Sequence, residues 1–398
     1  MNVREHFKEQ VLPAWRRAVL KVGSSLLTGG HGGLSDVHAR GLARFVIASR
    51  ATGREVVLVS SGAVTAGRTM MAAHGLEGGR GRSYHFANRQ ALAAIGQTHT
   101  VELWQGLFEC PLAQVLLTHD DLRNRRRYLN ARATLEELLR YGVVPVINEN
   151  DSVAVDELTF GDNDNLAAIV AGLIGADLLL IATDVAGLYT GDPHADAHAQ
   201  AVDEVVALTP ALLAMATGTA SPFGTGGMRS KLEAAQKAAA AGIDTILFSG
   251  RNPEIAELLV RGKLRGTRVR SPHTRPHART HWLLHVPASS GRIQIDAGAV
   301  RALRNNGASL LPTGMVAVEG AFERGDVVEI AAVGERLPVA RGIAQYGASE
   351  LRLICGCHSD AIRERLGYTY GRAVVHRNDL VTLPGAMRRT VGGSKADA

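Results

Sequence analysis

Residues 18–25 of the chain are Ala-Val-Leu-Lys-Val-Gly-Ser-Ser, a short apolar run that ends in a lysine and a loop of small residues. Such a run is typical of a buried strand, and the glycine and serines after it are typical of a tight loop. Comparable strand-like runs occur at residues 55–60, 112–117, 143–148, 178–183 and 245–249. Amphipathic or alanine-rich segments between them predict helices at residues 35–51, 88–107, 128–141, 165–174, 230–241 and 253–261. This alternation predicts an α/β fold with an open, mainly parallel sheet sandwiched by helices over residues 18–270.

The rest of the chain follows a different pattern. From residue 282 to residue 385, strand-like runs alternate with glycine turns, which predicts a small, mainly β domain. Residues 271–281 contain proline and histidine and are predicted to form a linker. Residues 1–17 are predicted to form an N-terminal extension. The tail at residues 386–398 is rich in Gly, Ser and charged residues and is predicted to be disordered.

The composition is that of a globular protein. With 398 residues and 46% hydrophobic content, the chain can bury a large core. No segment has the length and apolarity of a membrane span, and residues 1–17 lack the apolar stretch of a signal peptide. Three cysteines are too few for a disulfide framework. We therefore expect a cytoplasmic protein that does not enter a membrane.

The net charge of +6 raises the question of nucleic-acid binding. Residues 1–260 contain 23 basic and 27 acidic side chains, whereas residues 261–398 contain 21 basic and 11 acidic ones. Seven of those 21 basic residues lie between Arg261 and Arg279, so the C-terminal domain itself is only mildly basic. Charge alone therefore gives little support for RNA binding.

Lysine is scarce in this chain, because only six of the 44 basic residues are lysines. An ammonium group is compact and rotatable, whereas a guanidinium group is larger and planar. A chain that otherwise uses arginine is expected to keep lysine where a compact cation is needed. Two of the six, Lys21 and Lys231, lie in glycine-rich segments and are candidate phosphate-binding residues.

The loops that follow the predicted strands are candidate ligand sites, because ligands of an open parallel sheet bind at the carboxyl ends of its strands. Small or polar residues mark four of these loops, at residues 21–25, 60–63, 148–151 and 183–184. Small residues let backbone N–H groups approach phosphate oxygens, although such a loop can also do no more than turn the chain.

A fifth glycine-rich segment, residues 224–231, is Gly-Thr-Gly-Gly-Met-Arg-Ser-Lys. It precedes a predicted helix and places Lys231 in the first turn, an arrangement that favours phosphate. Its spacing is not that of a P-loop.

Residues 161–165, Gly-Asp-Asn-Asp-Asn, bring two carboxylates and two amides into one turn before a helix. Carboxylates this close repel one another unless a metal-bound ligand or a lysine compensates them. The alternative is an ordinary turn in which Asp164 caps the helix.

Taken in this order, the segments resemble those of the amino-acid kinase family, in its glutamate 5-kinase branch, followed by a PUA-like domain. The kinase resemblance is carried by residues 21–30, 59–63, 144–151, 161–165, 183–184, 187–190, 224–228 and Lys231. The PUA resemblance is carried by residues 320–328, 366–368 and 375–377.

The resemblance implies that the chain transfers the γ-phosphate of ATP to the side-chain carboxylate of L-glutamate, with Mg²⁺ held mainly through the ATP phosphates and no separate metal site. The catalytic residues that it implies are Lys21, Asp164 and Lys231. The glutamate-binding residues that it implies are Ser61, Asp151 and Asn163. The ATP-binding residues that it implies are Lys21, Thr183, Asp184, Thr225, Gly226, Gly227, Met228, Arg229, Ser230 and Lys231.

The resemblance also implies a homo-oligomer, either a dimer or a tetramer, and adds RNA as a candidate partner of the PUA-like domain. No general base is required for the implied reaction, because a glutamate carboxylate with a pKa of roughly 4.3 is already ionised at neutral pH. Two alternatives stay open. One is an RNA-binding or RNA-modifying protein with a vestigial kinase domain, and the other is a regulatory protein that binds amino acids without catalysis.

Overall fold

The computed structural model describes residues 7–29, 33–76, 86–154, 163–191, 196, 198–209, 212–213, 227–272, 283 and 291–383. The chain divides into two compact units, Met1–Ala278 and Arg279–Ala398. The division falls within residues 271–281, the stretch that the sequence predicts as a linker. The tail at residues 386–398, predicted to be disordered, lies outside the described residues.

The first unit is built on an eight-stranded sheet. From one edge to the other its strands are β4 (Leu112–Leu117), β5 (Val144–Glu149), β3 (Glu55–Ser60), β2 (Arg17–Val22), β6 (Leu178–Thr183), β8 (Asp244–Ser249), β10 (Thr267–Val269) and β7 (Glu204–Val205). Every neighbouring pair is parallel except β8 with β10. The open, mainly parallel sheet predicted from the sequence is therefore confirmed. The sequence pattern did not predict β7 and β10, which are too short to show a periodicity.

Nine helices are present in the described part of this unit. They are α1 (Ser24–Leu27), α2 (Ala39–Ala51), α3 (Ala63–Ala73), α4 (Phe86–Gln105), α5 (His119–Arg123), α6 (Arg125–Arg140), α7 (Asn163–Ile174), α8 (Met228–Ala240) and α9 (Pro253–Val260). The helix predicted from residue 35 begins only at Ala39. The residues before it are held in an extended pairing, since Leu34 forms a β-bridge with Thr28 and Ser35 donates its N–H to the carbonyl of Leu27.

The alternating side chains of the strands point to two separate hydrophobic cores, one on each face of the sheet. On β2, Val19 belongs to the core that is covered by α6, α7 and α8, whereas Ala18 and Leu20 belong to the core covered by α2, α4 and α9. This helix–sheet–helix arrangement is the sandwich that the sequence predicts. Lys21 follows the same alternation as Val19 and so lies on the face covered by α7 and α8.

Residues 10–15, which precede β2, are packed into the first unit. Gln10–Val11 forms a short strand, β1, which pairs antiparallel with β9 (Lys263–Leu264). Leu12 and Trp15 are buried in the core on the α2 side of the sheet.

The second unit is built on a five-stranded sheet in the order β12 (Met315–Glu319), β11 (Arg292–Ile295), β13 (Val327–Ala332), β14 (Ala340–Ile343) and β15 (Leu380–Thr382). Only β11 and β13 are parallel neighbours. Three helices complete its described part, α10 (Ala297–Asn306), α11 (Ala348–Ile354) and α12 (Ile362–Leu366). The prediction of a small, mainly β domain is confirmed.

A search of the described residues for a helix of sufficient length and apolarity to span a membrane finds none.

Candidate active site

A buried carboxylate bridges the two lysines that the sequence singles out. The Nζ atom of Lys21 lies 2.6 Å from Oδ1 of Asp164, and the Nζ atom of Lys231 lies 3.0 Å from Oδ2 of the same side chain. All three side chains are buried, and Asp164 is 0% exposed. Two of the six lysines in the chain therefore meet at one carboxylate.

The fold brings these residues together from three elements. Lys21 is on β2, on the face of the sheet that α7 and α8 cover. Asp164 lies in the first turn of α7, where the positive end of the helix dipole favours a carboxylate. Lys231 lies in the first turns of α8, where the same dipole disfavours a cation, so the contact with Asp164 offsets an unfavourable position.

Asp164 carries a negative charge in this environment. Burial would raise the pKa of the Asp164 carboxyl, but the ammonium groups of Lys21 and Lys231 outweigh burial and hold the pKa below its ordinary value. One anion between two cations leaves the cluster with a net positive charge of one. The cluster can therefore attract a further anion.

The start of α8 adds small and polar groups next to this cluster. The Ser230 hydroxyl has two acceptors within reach, Asp164 Oδ2 at 3.2 Å and the carbonyl oxygen of Gly227 at 3.0 Å, and it donates to them. The side chain of Met228 packs against the core, and Arg229 pairs with Glu233 one turn further along the helix at 2.9 Å. Two residues of the predicted ATP loop, Thr225 and Gly226, lie outside the described residues.

Thr183 and Asp184 lie at the carboxyl end of β6. The hydroxyl of Thr183 donates to Asp184 Oδ1 at 3.1 Å, and the guanidinium of Arg251 lies 3.9 Å from Asp184 Oδ2. A Cβ atom at Gly23 would lie 3.7 Å from the Nζ atom of Lys21 and 3.8 Å from the carbonyl oxygen of Ala182. The loop after β2 thus runs between the Lys21 ammonium and the end of β6.

A second group of polar contacts surrounds Asn163, the residue before Asp164. The Nδ2 atom of Asn163 lies 2.8 Å from Ser61 Oγ, 2.8 Å from Asn148 Oδ1 and 3.2 Å from the carbonyl oxygen of Ser60. The sequence-predicted residues Ser61 and Asn163 are therefore in direct contact. Because Asn163 and Asp164 are consecutive, this group lies beside the lysine cluster.

Asp151 lies in the loop after β5, three residues beyond Asn148. Its Oδ1 atom lies 3.7 Å from the guanidinium of Arg89 on α4. Burial raises the pKa of the Asp151 carboxyl above its ordinary value, and the nearby charge of Arg89 opposes this effect without cancelling it. A partly buried carboxylate that faces one cation at 3.7 Å can accept a second positive group.

Four residues of α4 contact the polar end of the sheet and were not among the sequence-predicted site residues. Besides Arg89, Gln90 donates to the carbonyl of Ala154 at 3.1 Å, and Trp104 Nε1 donates to Ser60 Oγ at 2.8 Å. Gln97 lies with its Oε1 atom 2.8 Å from Asn148 Nδ2. For two of these residues the sequence does contain a signal. Gln90 and Gln97 are seven residues apart, so they lie on the same face of an alanine-rich helix.

Comparison with known proteins agrees with this geometry. Residues 16–249 match the amino acid kinase family, and residues 291–366 match the PUA domain. A glutamate 5-kinase of Xylella fastidiosa (strain M23) is 57% identical over 380 residues, which cover 95% of this chain and 98% of that protein. A glutamate 5-kinase of Xanthomonas oryzae pv. oryzae (strain KACC10331 / KXO85) is 58% identical over 368 residues, which cover 92% of this chain and 100% of that protein.

Two solved structures are also similar. The UMP kinase from Bacillus anthracis aligns with 66% of this chain and 98% of its own at 14% identity and a TM-score of 0.45. An isopentenyl phosphate kinase aligns with 64% of this chain and 99% of its own at 16% identity and the same TM-score of 0.45. On the sequence matches, the chain belongs to the amino acid kinase family, in its glutamate 5-kinase branch, and carries a PUA domain.

Proposed function

We propose that this protein transfers the γ-phosphate of ATP to the side-chain carboxylate of L-glutamate, giving ADP and L-glutamate 5-phosphate, a reaction that supplies proline biosynthesis. The observation that carries the proposal is the pair of buried ammonium groups held on one carboxylate, Asp164, at the carboxyl end of a parallel sheet. Family membership and the names of the relatives support the same reaction.

Lys21 and Lys231 would stabilise the charge of the transferring phosphoryl group, with Asp164 fixing both ammonium groups in place. Thr183, Asp184 and the start of α8, with the loop before it, would hold the nucleotide. This assignment is supported by the net positive charge of the cluster and by the small residues around it. It is also supported by the lysine chemistry, since an ammonium group is a compact cation with rotatable donors, whereas a guanidinium group is larger and planar.

Glutamate would bind on the other side of Asp164. Asp151 would meet the α-ammonium group of the substrate, while Ser61 and Asn163 would contact its polar atoms. The raised pKa of the Asp151 carboxyl and the contact between Ser61 and Asn163 support this placement. The two sets of residues are joined by the consecutive pair Asn163 and Asp164, which supports a position of the acceptor carboxylate beside the lysines.

The chemical step needs no proton transfer. An oxygen of the ionised glutamate carboxylate attacks the γ-phosphorus of ATP, the bond to the bridging oxygen breaks, and its electron pair leaves with ADP. Rate acceleration then comes from in-line positioning and from electrostatic stabilisation of the phosphoryl group.

Mg²⁺ would enter with the nucleotide. Among the described residues, no group of three or more His, Cys, Asp or Glu side chains is placed to hold a metal ion, and both Asp164 oxygens contact ammonium groups. Because the Asp164 oxygens already contact ammonium groups, we propose that Mg²⁺ is held mainly by the ATP phosphates. There it would neutralise charge on the β- and γ-phosphoryl groups.

The assignment is tested by measuring ADP formation from Mg·ATP with glutamate, aspartate, N-acetylglutamate and carbamate as alternative acceptors. We expect turnover with glutamate and little with the other three. Turnover of another acid in preference to glutamate would contradict the proposal. Salt-dependent RNA binding without any ATP turnover would favour the alternative of an RNA-binding protein.

Homo-oligomerisation and RNA binding by the PUA domain stay predictions. For RNA, the second unit offers two exposed tyrosines, Tyr368 and Tyr370. Aromatic rings are groups on which single-stranded bases stack. The prediction of a homo-oligomer is tested by measuring the mass of the protein in solution, with and without residues 279–398. The prediction of RNA binding is tested by titration with RNA at two salt concentrations.

A further inference from the structure

Three amide side chains form a buried line of hydrogen bonds that ends at the glutamate side of the site. Gln97 on α4 accepts from Asn148 Nδ2 at 2.8 Å, and Asn148 Oδ1 accepts from Asn163 Nδ2 at 2.8 Å. Gln97 is 8% exposed and Asn148 is 4% exposed. Water therefore competes little for these bonds.

The carbonyl oxygen of Ser60, which lies at one end of this row of amides, determines which group donates and which accepts in each hydrogen bond. The carbonyl oxygen of Ser60 can only accept, so Asn163 must direct its NH₂ group toward it, where the distance is 3.2 Å. With that NH₂ group also facing Asn148, the carbonyl oxygen of Asn148 must point toward Asn163. The NH₂ group of Asn148 then points to Gln97, which must present its carbonyl oxygen.

The same orientation has two consequences on the substrate side. Ser61 Oγ accepts from Asn163 Nδ2 at 2.8 Å, so its hydroxyl hydrogen is directed to another acceptor. Asn163 Oδ1 lies on the opposite edge of the amide from Nδ2. Ser61 is thus set to donate to a carboxylate, and Asn163 to accept from an ammonium group.

We propose that Gln97 is a positioning residue for glutamate, which acts through Asn148 to hold Asn163 and Ser61 in the orientation that binds the substrate. Loss of the Gln97 carbonyl oxygen leaves the NH₂ group of Asn148 without an acceptor in a buried place. Rotation of the Asn148 amide would then bring two NH₂ groups face to face. The inference rests on the proposed placement of glutamate beside Ser61 and Asn163.

The variant that tests this is Gln97→Met, which keeps the side-chain volume and removes the acceptor. We expect KM for glutamate to rise on the order of tenfold or more, while KM for ATP stays within about twofold. Gln97→Glu keeps an acceptor oxygen at this position and is expected to restore KM for glutamate to within about threefold of the unmodified protein. Gln97→Ala is the second acceptor-free variant should the methionine variant not fold.

Thr100→Val is the matched control. Thr100 is buried one turn further along α4, and its hydroxyl donates to the carbonyl oxygen of Gly96 in the same helix, at 3.1 Å. The Thr100→Val variant should leave KM for glutamate unchanged. The proposal would be overturned if KM for glutamate rose as much in Thr100→Val as in Gln97→Met. It would also be overturned if KM for glutamate rose as much in Gln97→Glu as in Gln97→Met.

A double-mutant cycle separates positioning from a direct contact with substrate. If Gln97 acts through Asn163, Gln97→Met should add little to the rise in KM for glutamate that Asn163→Ala causes alone. Full additivity would contradict the inference. Phosphorylation of a different acid would overturn the proposed function but not this coupling, which can be measured with whichever substrate the protein accepts.

Discussion

Asp164 is the residue on which the site depends most directly, because it is the counter-ion that contacts both buried ammonium groups. Replacing it by asparagine keeps its shape and removes its charge, so the two lysines face each other uncompensated. We expect Asp164→Asn to lower the free energy of unfolding by about 3–5 kcal/mol, the range for a buried ion pair that loses one partner.

The phosphates of a bound nucleotide should replace part of that missing charge. ADP is therefore expected to raise the Tm of Asp164→Asn by more than it raises the Tm of the unmodified protein. Thermal unfolding with and without ADP measures both values. An unchanged Tm without nucleotide would show that the lysine pair does not need its carboxylate.

Lys231 tests the argument from lysine scarcity. Its ammonium group is buried 3.0 Å from Asp164, and we expect the larger, planar guanidinium of arginine to place its charge differently. Lys231→Arg is expected to lower kcat on the order of a hundredfold or more. Lys237→Arg is the control, because Lys237 is an exposed residue of the same helix that contacts Asn165. Similar kinetics for the two variants would contradict the proposed role.

Asp151 should make glutamate binding sensitive to pH. Its pKa is raised by burial, and only the ionised carboxylate attracts the substrate ammonium, so KM for glutamate should rise as the pH falls toward that raised pKa. Arg89→Met removes the opposing cation, raises the pKa further and moves the onset to higher pH. The test is to measure KM for glutamate across a pH series in the unmodified protein and in Arg89→Met, with KM for ATP as the reference. Identical dependences of KM for glutamate on pH in the two proteins would refute the proposed role of Asp151.

At the scale of elements, α4 is the helix that contacts the proposed glutamate side of the site. It crosses α3 at two glycines, and a Cβ atom at Gly96 would lie 1.9 Å from the carbonyl oxygen of Ala63 and 2.3 Å from the amide nitrogen of Gly67. Both contacts are with backbone, which cannot move without shifting a helix. The position of Gln97, the next residue, is therefore set by this crossing.

Gly96→Ala is expected to push α4 away from α3, lower the free energy of unfolding by about 1–3 kcal/mol and raise KM for glutamate more than KM for ATP. Gly106→Ala is the matched control, since a Cβ atom there would make only ordinary contacts at 3.6 Å. Chemical unfolding and steady-state kinetics on both variants provide the test. A Gly96→Ala protein with unaltered stability would show that the crossing is not tight.

Elements with a strong local pattern could be predicted from the sequence. The strands at residues 55–60 and 178–183 have the predicted bounds, because a buried parallel strand is a nearly continuous apolar run. The edge strand at residues 112–117 also has the predicted bounds, although only Leu117 in it is buried. Helix α3 was not predicted. It begins after Gly62, whose φ of +109° is a left-handed conformation that only the tertiary fold reveals.

The same distinction applies to the site. Lys21, Asp164 and Lys231 could be singled out as candidates, because the two lysines are rare residues in glycine-rich segments and Asp164 lies in an acidic turn, and the structure brings the three into contact. The contribution of α4 could not, because Gln97 reaches Asn148 across 51 residues of sequence and ordinary glutamines carry no local signal of such a contact. Contacts of this kind depend on how two helices cross rather than on either sequence segment alone.

On the scale of the whole molecule, the contacts on which the proposed chemistry rests lie in the first unit, where they join β2, α7 and α8. The central claim is that the glutamate carboxylate itself attacks the γ-phosphorus of ATP. Glutamate labelled with ¹⁸O in its side-chain carboxylate tests this directly when the product is trapped with hydroxylamine. Hydroxylamine attacks the acyl carbon, so the phosphate that is released keeps the bridging oxygen of the acyl phosphate. The account predicts one ¹⁸O atom in each phosphate released with the hydroxamate, whereas unlabelled phosphate formed together with ADP would contradict it.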